Sequence, residues 1–146
     1  MTDSGATPHG AARETERWMT QARIDLDDAN ASATSGRHAL ACFLCHQAAE
    51  KAVTAFLYSR SVELVWGHAL ADLCEDAMAL DPSFDLLKSS AALLDKHVLG
   101  ARYPSTLPGG VPGEVYDAED SSRALEIASD ALEFVTMRLD DPPSEA

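Results

Sequence analysis

The chain is short of aromatics, of basic residues, of cysteine and of long apolar runs, and each shortage removes a class of protein. Phe, Trp and Tyr make up 6% of the 146 residues. Sheets draw on aromatic and β-branched residues, whereas the alanine and leucine that dominate here favour helices. Eleven Lys and Arg stand against 24 Asp and Glu, a formal charge of −13. So acidic a surface repels a phosphate backbone, and nonspecific binding to nucleic acid is not expected. The three cysteines are an odd number, which argues against a disulfide framework and for a reducing cytoplasm. No run of about 18 apolar residues occurs, so no membrane span is expected. The opening "MTDSGATPHGAARE" has neither the basic start nor the apolar stretch of a signal peptide.

What is present suits one domain with one core: 46% apolar and 24% charged residues. Residues 1–13 are polar and rich in breakers, and a disordered tail is expected there. The ordered domain is expected over 14–139, with a second tail over 140–146. The first helix is placed from Glu14, with Trp18, Ala22, Leu26, Ala29 and Ala33 on one stripe and Asp25 close enough to be buried and hydrogen-bonded. Gly36 is the natural stop. The second helix runs from His38 to Arg60 and is apolar nearly all round, which places it at the centre of a bundle or against a second chain. A third helix starts near His68 and carries Leu70, Leu73, Ala77 and Leu80. A fourth carries Phe84, Leu87, Ala91, Leu94 and Val98. Three prolines and three glycines between Arg102 and Asp117 exclude a regular element. Asp117 is a candidate N-cap for a last helix over 118–139, whose stripe runs from Leu125 to Leu139.

Within the second helix, Cys42-Phe43-Leu44-Cys45-His46 spells C-x-x-C-H, the attachment string of c-type haem. Phe43 and Leu44 belong to an apolar face, no export signal precedes the string, and no second axial ligand is evident, so these cysteines read as core. A zinc set from His38, Cys42, Cys45 and His46 is not favoured, because these residues sit on a largely apolar helix and a further ligand would have to come from elsewhere in the chain, with Cys74 the candidate. No metal or cofactor is expected. Glu50 and Lys51 interrupt the apolar helix, either as a solvated edge or as the lining of a cleft. Arg102 offers a fork of donors for a phosphate and Tyr103 a stacking face, although an arginine there can equally cap helix carbonyls.

Several of these positions, in order, resemble the HEPN family (higher eukaryotes and prokaryotes nucleotide-binding). Ala22, Asp25, Leu26 and Ala29 fit its first helix. Phe43, Gln47, Ala48, Glu50 and Lys51 fit its F-x-x-Q-A-x-E-K. His68 and Leu70 fit the start of its third helix, and Arg102, Tyr103 and Pro104 its R-Y-P. The resemblance implies an all-α, antiparallel bundle of about five helices that dimerises. It also implies a nucleotide- or RNA-related role, often beside a small nucleotidyltransferase in a toxin–antitoxin pair. Its ribonuclease members carry an arginine followed by four to six residues and then a histidine. Here no Arg stands at that distance from a His; the nearest, Arg60 and His68, have seven residues between them. The expectation is therefore a homodimer without catalytic residues that binds a nucleotide, a nucleotidyltransferase or both, with Lys51, His68, Arg102 and Tyr103 as the binding residues. The alternatives are a ribonuclease toxin with a displaced motif and a structural dimer without ligand.

Overall fold

The computed structural model describes residues 8–62 and 69–140. Among them the chain forms α1 (Pro8–Thr34), α2 (His38–Ser59), α3 (Leu70–Met78), α4 (Asp85–Asp95), α5 (His97–Gly100), α6 (Pro112–Val115) and α7 (Ala118–Asp140), with 3-10 turns at Pro82–Phe84 and Pro104–Thr106. All of the regular structure there is helical.

α2 is the axis. It packs along α1 on one side and α7 on the other, and it touches α3, α4, α5 and α6. From Ala52 to Tyr58 every residue is buried within its own chain, so no second chain is needed to cover that half. Phe56 meets Phe84 at 4.3 Å between ring centroids, and Phe84 meets Phe134 of α7 edge-on at 5.1 Å. This aromatic column ties α2, the turn before α4 and α7 together at a favourable ring geometry. The α1–α2 pair is an antiparallel hairpin: Trp18 faces Tyr58 and Asp25 faces Lys51, so positions fall in one helix as they rise in the other. Gly36 closes it at φ +80°. The amide of Arg37 donates to Ser32 and that of Gly36 to Ala33, a paired closure that needs a left-handed residue between helix and loop.

Local sequence explains the other joints. The Asp81 side chain accepts from the amide and hydroxyl of Ser83, and Pro82 fills the first turn. Asp117 accepts from the amide of Asp120 at 3.0 Å, and Asp120 accepts from that of Asp117 at 3.0 Å. The reciprocal box starts α7 at the expected N-cap.

Four boundaries differ from the sequence pattern. α1 begins at Pro8 rather than Glu14, because Pro8 suits a first turn and nothing after Gly10 breaks the helix. α3 ends at Met78, which leaves Leu80 43% exposed rather than in the stripe. The fourth helix divides at Lys96 into α4 and α5. The stretch after Arg102, dense in breakers, still winds one 3-10 turn and the short α6, each opened by a proline. The expected start of the third helix at His68 lies outside the described residues, as do the residues beyond Asp140.

Candidate functional site

α2 is sealed on every side only in its second half. Toward its N-terminus Leu40, Phe43, Leu44, Gln47, Glu50 and Lys51 remain half-buried, a stripe at helical spacing. A cleft of about 690 Å³ opens where that stripe faces α4 and α5, within the range of small-molecule sites. His46, Gln47 and Glu50 line it from α2. Asp95, Lys96, Val98 and Leu99 line it from the opposite wall, and Thr106 from the following turn.

Two of the polar groups there are occupied with structure. Asp95 accepts from the amides of Leu70 at 2.7 Å and Ala71 at 3.0 Å, so α4 caps the N-terminus of α3 from across the bundle. His46 Nε2 lies 2.8 Å from the same carboxylate. Its Nδ1 lies 3.5 Å from the Gln47 amide nitrogen. With both ring nitrogens engaged and the ring buried, His46 is a brace for Asp95 and not a free base. Glu50 is different. It is half-buried in the lining, and no hydrogen bond reaches its side chain from the described residues. Burial pushes its carboxyl above the usual range, with the charges of His46 and Lys51 pulling back and those of Asp95 and Asp25 adding to the rise.

The expected binding residues fall in separate places. Lys51 donates to Asp25 at 2.6 Å. Asp25 is 6% exposed and also accepts from Gln21 at 2.8 Å, so its expected burial and hydrogen bonding are met. Lys51 thereby pins α1 to α2 and does not line the cleft. Arg102 is exposed, and its guanidinium sits 4.8 Å above the ring of Phe43, a cation–π contact in place of a carbonyl cap. It borders a second hollow of about 500 Å³ that includes His38 and Pro112. Tyr103 is 54% exposed. The hydroxyl of Thr106 donates to its carbonyl at 2.9 Å and fixes the turn that closes the cleft. His68 lies outside the described residues.

Glu50 was legible in the sequence as a possible cleft residue but not as a member of the site, and Lys96 and Thr106 were missed. Gln47 and Glu50, three apart on an apolar helix, were the signal. Nothing in the sequence pairs Asp95 with His46 or with the start of α3. The cysteines of the haem-like string are fully buried, and burial pushes both thiols up to about 12. His38 meets Ser121 at 2.9 Å. Among the described residues no three His, Cys, Asp or Glu side chains converge on a metal position.

Among the described residues the chain is thus a helical bundle with an open cleft between α2 and α4–α5. The profile of the HEPN domain matches residues 15–138, and the chain belongs to that family. A solved protein from Thermus thermophilus shares 34% identity at a TM-score of 0.78, covering 85% of this chain and 97% of that one. An archaeal HEPN homologue shares 32% at 0.71, covering 86% and 98%. A HEPN domain protein from Thermotoga maritima shares 28% at 0.69, covering 86% and 99%. None of the curated proteins compared matches the chain.

Proposed function

We propose that this HEPN protein is a non-catalytic cytoplasmic homodimer that binds a nucleotide and pairs with a small nucleotidyltransferase in a toxin–antitoxin-like system. The cleft between α2 and α4–α5 carries the reading. It is of nucleotide size, has apolar walls in Val98 and Leu99, and holds Lys96 at its lining. Arg102 and Tyr103 follow shortly after Gly100, which also lines it. In this reading Arg102 meets phosphate and Tyr103 stacks or shapes the mouth. Lys51 reaches phosphate only by leaving Asp25, and His68 precedes Ala69, another lining residue. The lack of any arginine followed by four to six residues and then a histidine supports the absence of catalysis.

Calorimetry with ATP and GTP tests the nucleotide arm. Arg102→Ala is expected to weaken binding by about tenfold, the equivalent of one charge-assisted contact. A wild type that binds neither nucleotide removes this arm. Light scattering tests the homodimer, and co-purification with a nucleotidyltransferase encoded beside it tests the pairing.

A further inference from the structure

We infer that the cleft is selective for guanine, whose N1–H and N2–H₂ donors are taken by the two carboxylate oxygens of Glu50. The inference rests on the nucleotide reading above and assigns the base.

The other acidic and imidazole groups of the lining are already engaged. Asp95 holds two α3 amides and His46, and His46 holds Asp95 and Gln47. Glu50 is left as a half-buried carboxylate on the cleft, with no hydrogen bond from the described residues. An ionised carboxylate only accepts. A ligand that displaces water from beside it must therefore bring donors, and two oxygens side by side suit two. Of the common bases only guanine presents two adjacent N–H donors on its pairing edge. Adenine offers an amine beside an acceptor nitrogen, which would face a carboxylate oxygen lone pair to lone pair.

Burial supplies the energetic reason. The Glu50 carboxylate is already disfavoured by desolvation, which raises its proton affinity. Two charge-assisted bonds relieve that penalty, whereas a base that leaves one oxygen unmet keeps it. A ligand that excludes water from the half-buried Glu50 without bringing both donors leaves part of its carboxylate unmet, and that mismatch discriminates against it. Val98 and Leu99 provide the apolar wall that a flat ring needs. An arginine side chain carries the same pair of donors, but its thin stem would leave a cleft of about 690 Å³ mostly empty.

The test is calorimetry with GMP, IMP, AMP and N-acetyl-arginine amide on the wild type and on Glu50→Gln. Inosine keeps the N1–H and lacks the amine, so the expected order of affinity is GMP, then IMP, then AMP. Each step should be about tenfold, and arginine amide should bind no better than AMP. Glu50→Gln exchanges one acceptor for a donor. It should reduce the preference for GMP over AMP at least about tenfold, with an unchanged unfolding transition as proof of fold. Equal binding of GMP and AMP by the wild type overturns the guanine assignment and leaves nucleotide binding standing. Binding of neither overturns both. A preference that survives in Glu50→Gln overturns the role of Glu50 and shows that another group selects the base. Arginine amide binding as tightly as GMP overturns the assignment in favour of a basic peptide.

Discussion

At the scale of single residues the same charge type has opposite fates. Asp25 and Glu50 both border Lys51, yet only Asp25 takes its ammonium, at 2.6 Å. Lys51→Met leaves the Asp25 carboxylate, 9% exposed in its side chain, with Gln21 as its remaining side-chain partner. Breaking a fully buried pair typically costs about 3–5 kcal/mol. Lys51 keeps 23% of its side chain in water, so a loss of about 2 kcal/mol is expected. Urea unfolding reads it, and the double variant Asp25→Asn with Lys51→Met should recover much of the loss. If the double variant is as unstable as the single, the stranded charge is not the cause. His97 gives a second residue-level outcome. Its Nδ1 lies 2.9 Å from the Tyr116 hydroxyl, and burial, with the Lys96 charge beside it, pushes the imidazole down to about 4. The unfolded chain takes up that proton below its ordinary value near 6.5 while the folded chain does not. The contribution to stability is therefore complete above about pH 6.5 and declines as pH falls toward about 4. Over that window the wild type should lose up to about 3 kcal/mol more than His97→Gln. Parallel curves for the two proteins would remove imidazole protonation as the source. Asp25 was legible in the sequence because its place beside a helical stripe implies burial. The fate of His97 was not, because its partner Tyr116 sits in a stretch whose breakers concealed a folded turn.

At the scale of elements, periodicity did well where a helix has one buried face and less well where helices end. α2 was readable as the axis since acidic and lysine charges appear on it only at Glu50 and Lys51. The same apolar circumference also suggested a second chain. That need dissolves in the half from Ala52 to Tyr58, where α1, α3 and α7 supply the cover. Leu80 fits the stripe in register but falls past the last turn of α3, and register alone carries no end signal. The start of α3 depends on a residue far away in sequence. Ala69, its N-cap, makes no side-chain cap. Asp95 supplies one instead. Asp95→Ala removes both acceptors and leaves His46 Nε2 without its carboxylate. Losing a cap costs about 0.5–2 kcal/mol, and the stranded imidazole places the expected loss near the upper end. Hydrogen exchange should localise the damage: the amides of Leu70 to Cys74 should exchange faster while those of α7 keep their protection. Uniform acceleration across the molecule would mean that Asp95 supports the whole bundle and not this joint.

At the scale of the whole molecule, the net charge of −13 decides what the cleft can admit. The long-range field disfavours any polyanion in proportion to its charge, whereas Arg102 and Lys96 act only at contact range. A mononucleotide brings few charges, so the nucleotide reading proposed above is compatible with that field. A strand of RNA brings one charge per nucleotide along its full length and meets the net negative field of the whole chain. Fluorescence anisotropy with a labelled single-stranded RNA of about 20 nucleotides should accordingly show no binding at about 50 mM salt, where screening is weak. Raising the salt should not reveal any. Tight binding that weakens steeply with salt would mean that several phosphates are being neutralised at once. Basic groups would then have to converge on one face despite the overall charge. That result would return the ribonuclease reading to the front.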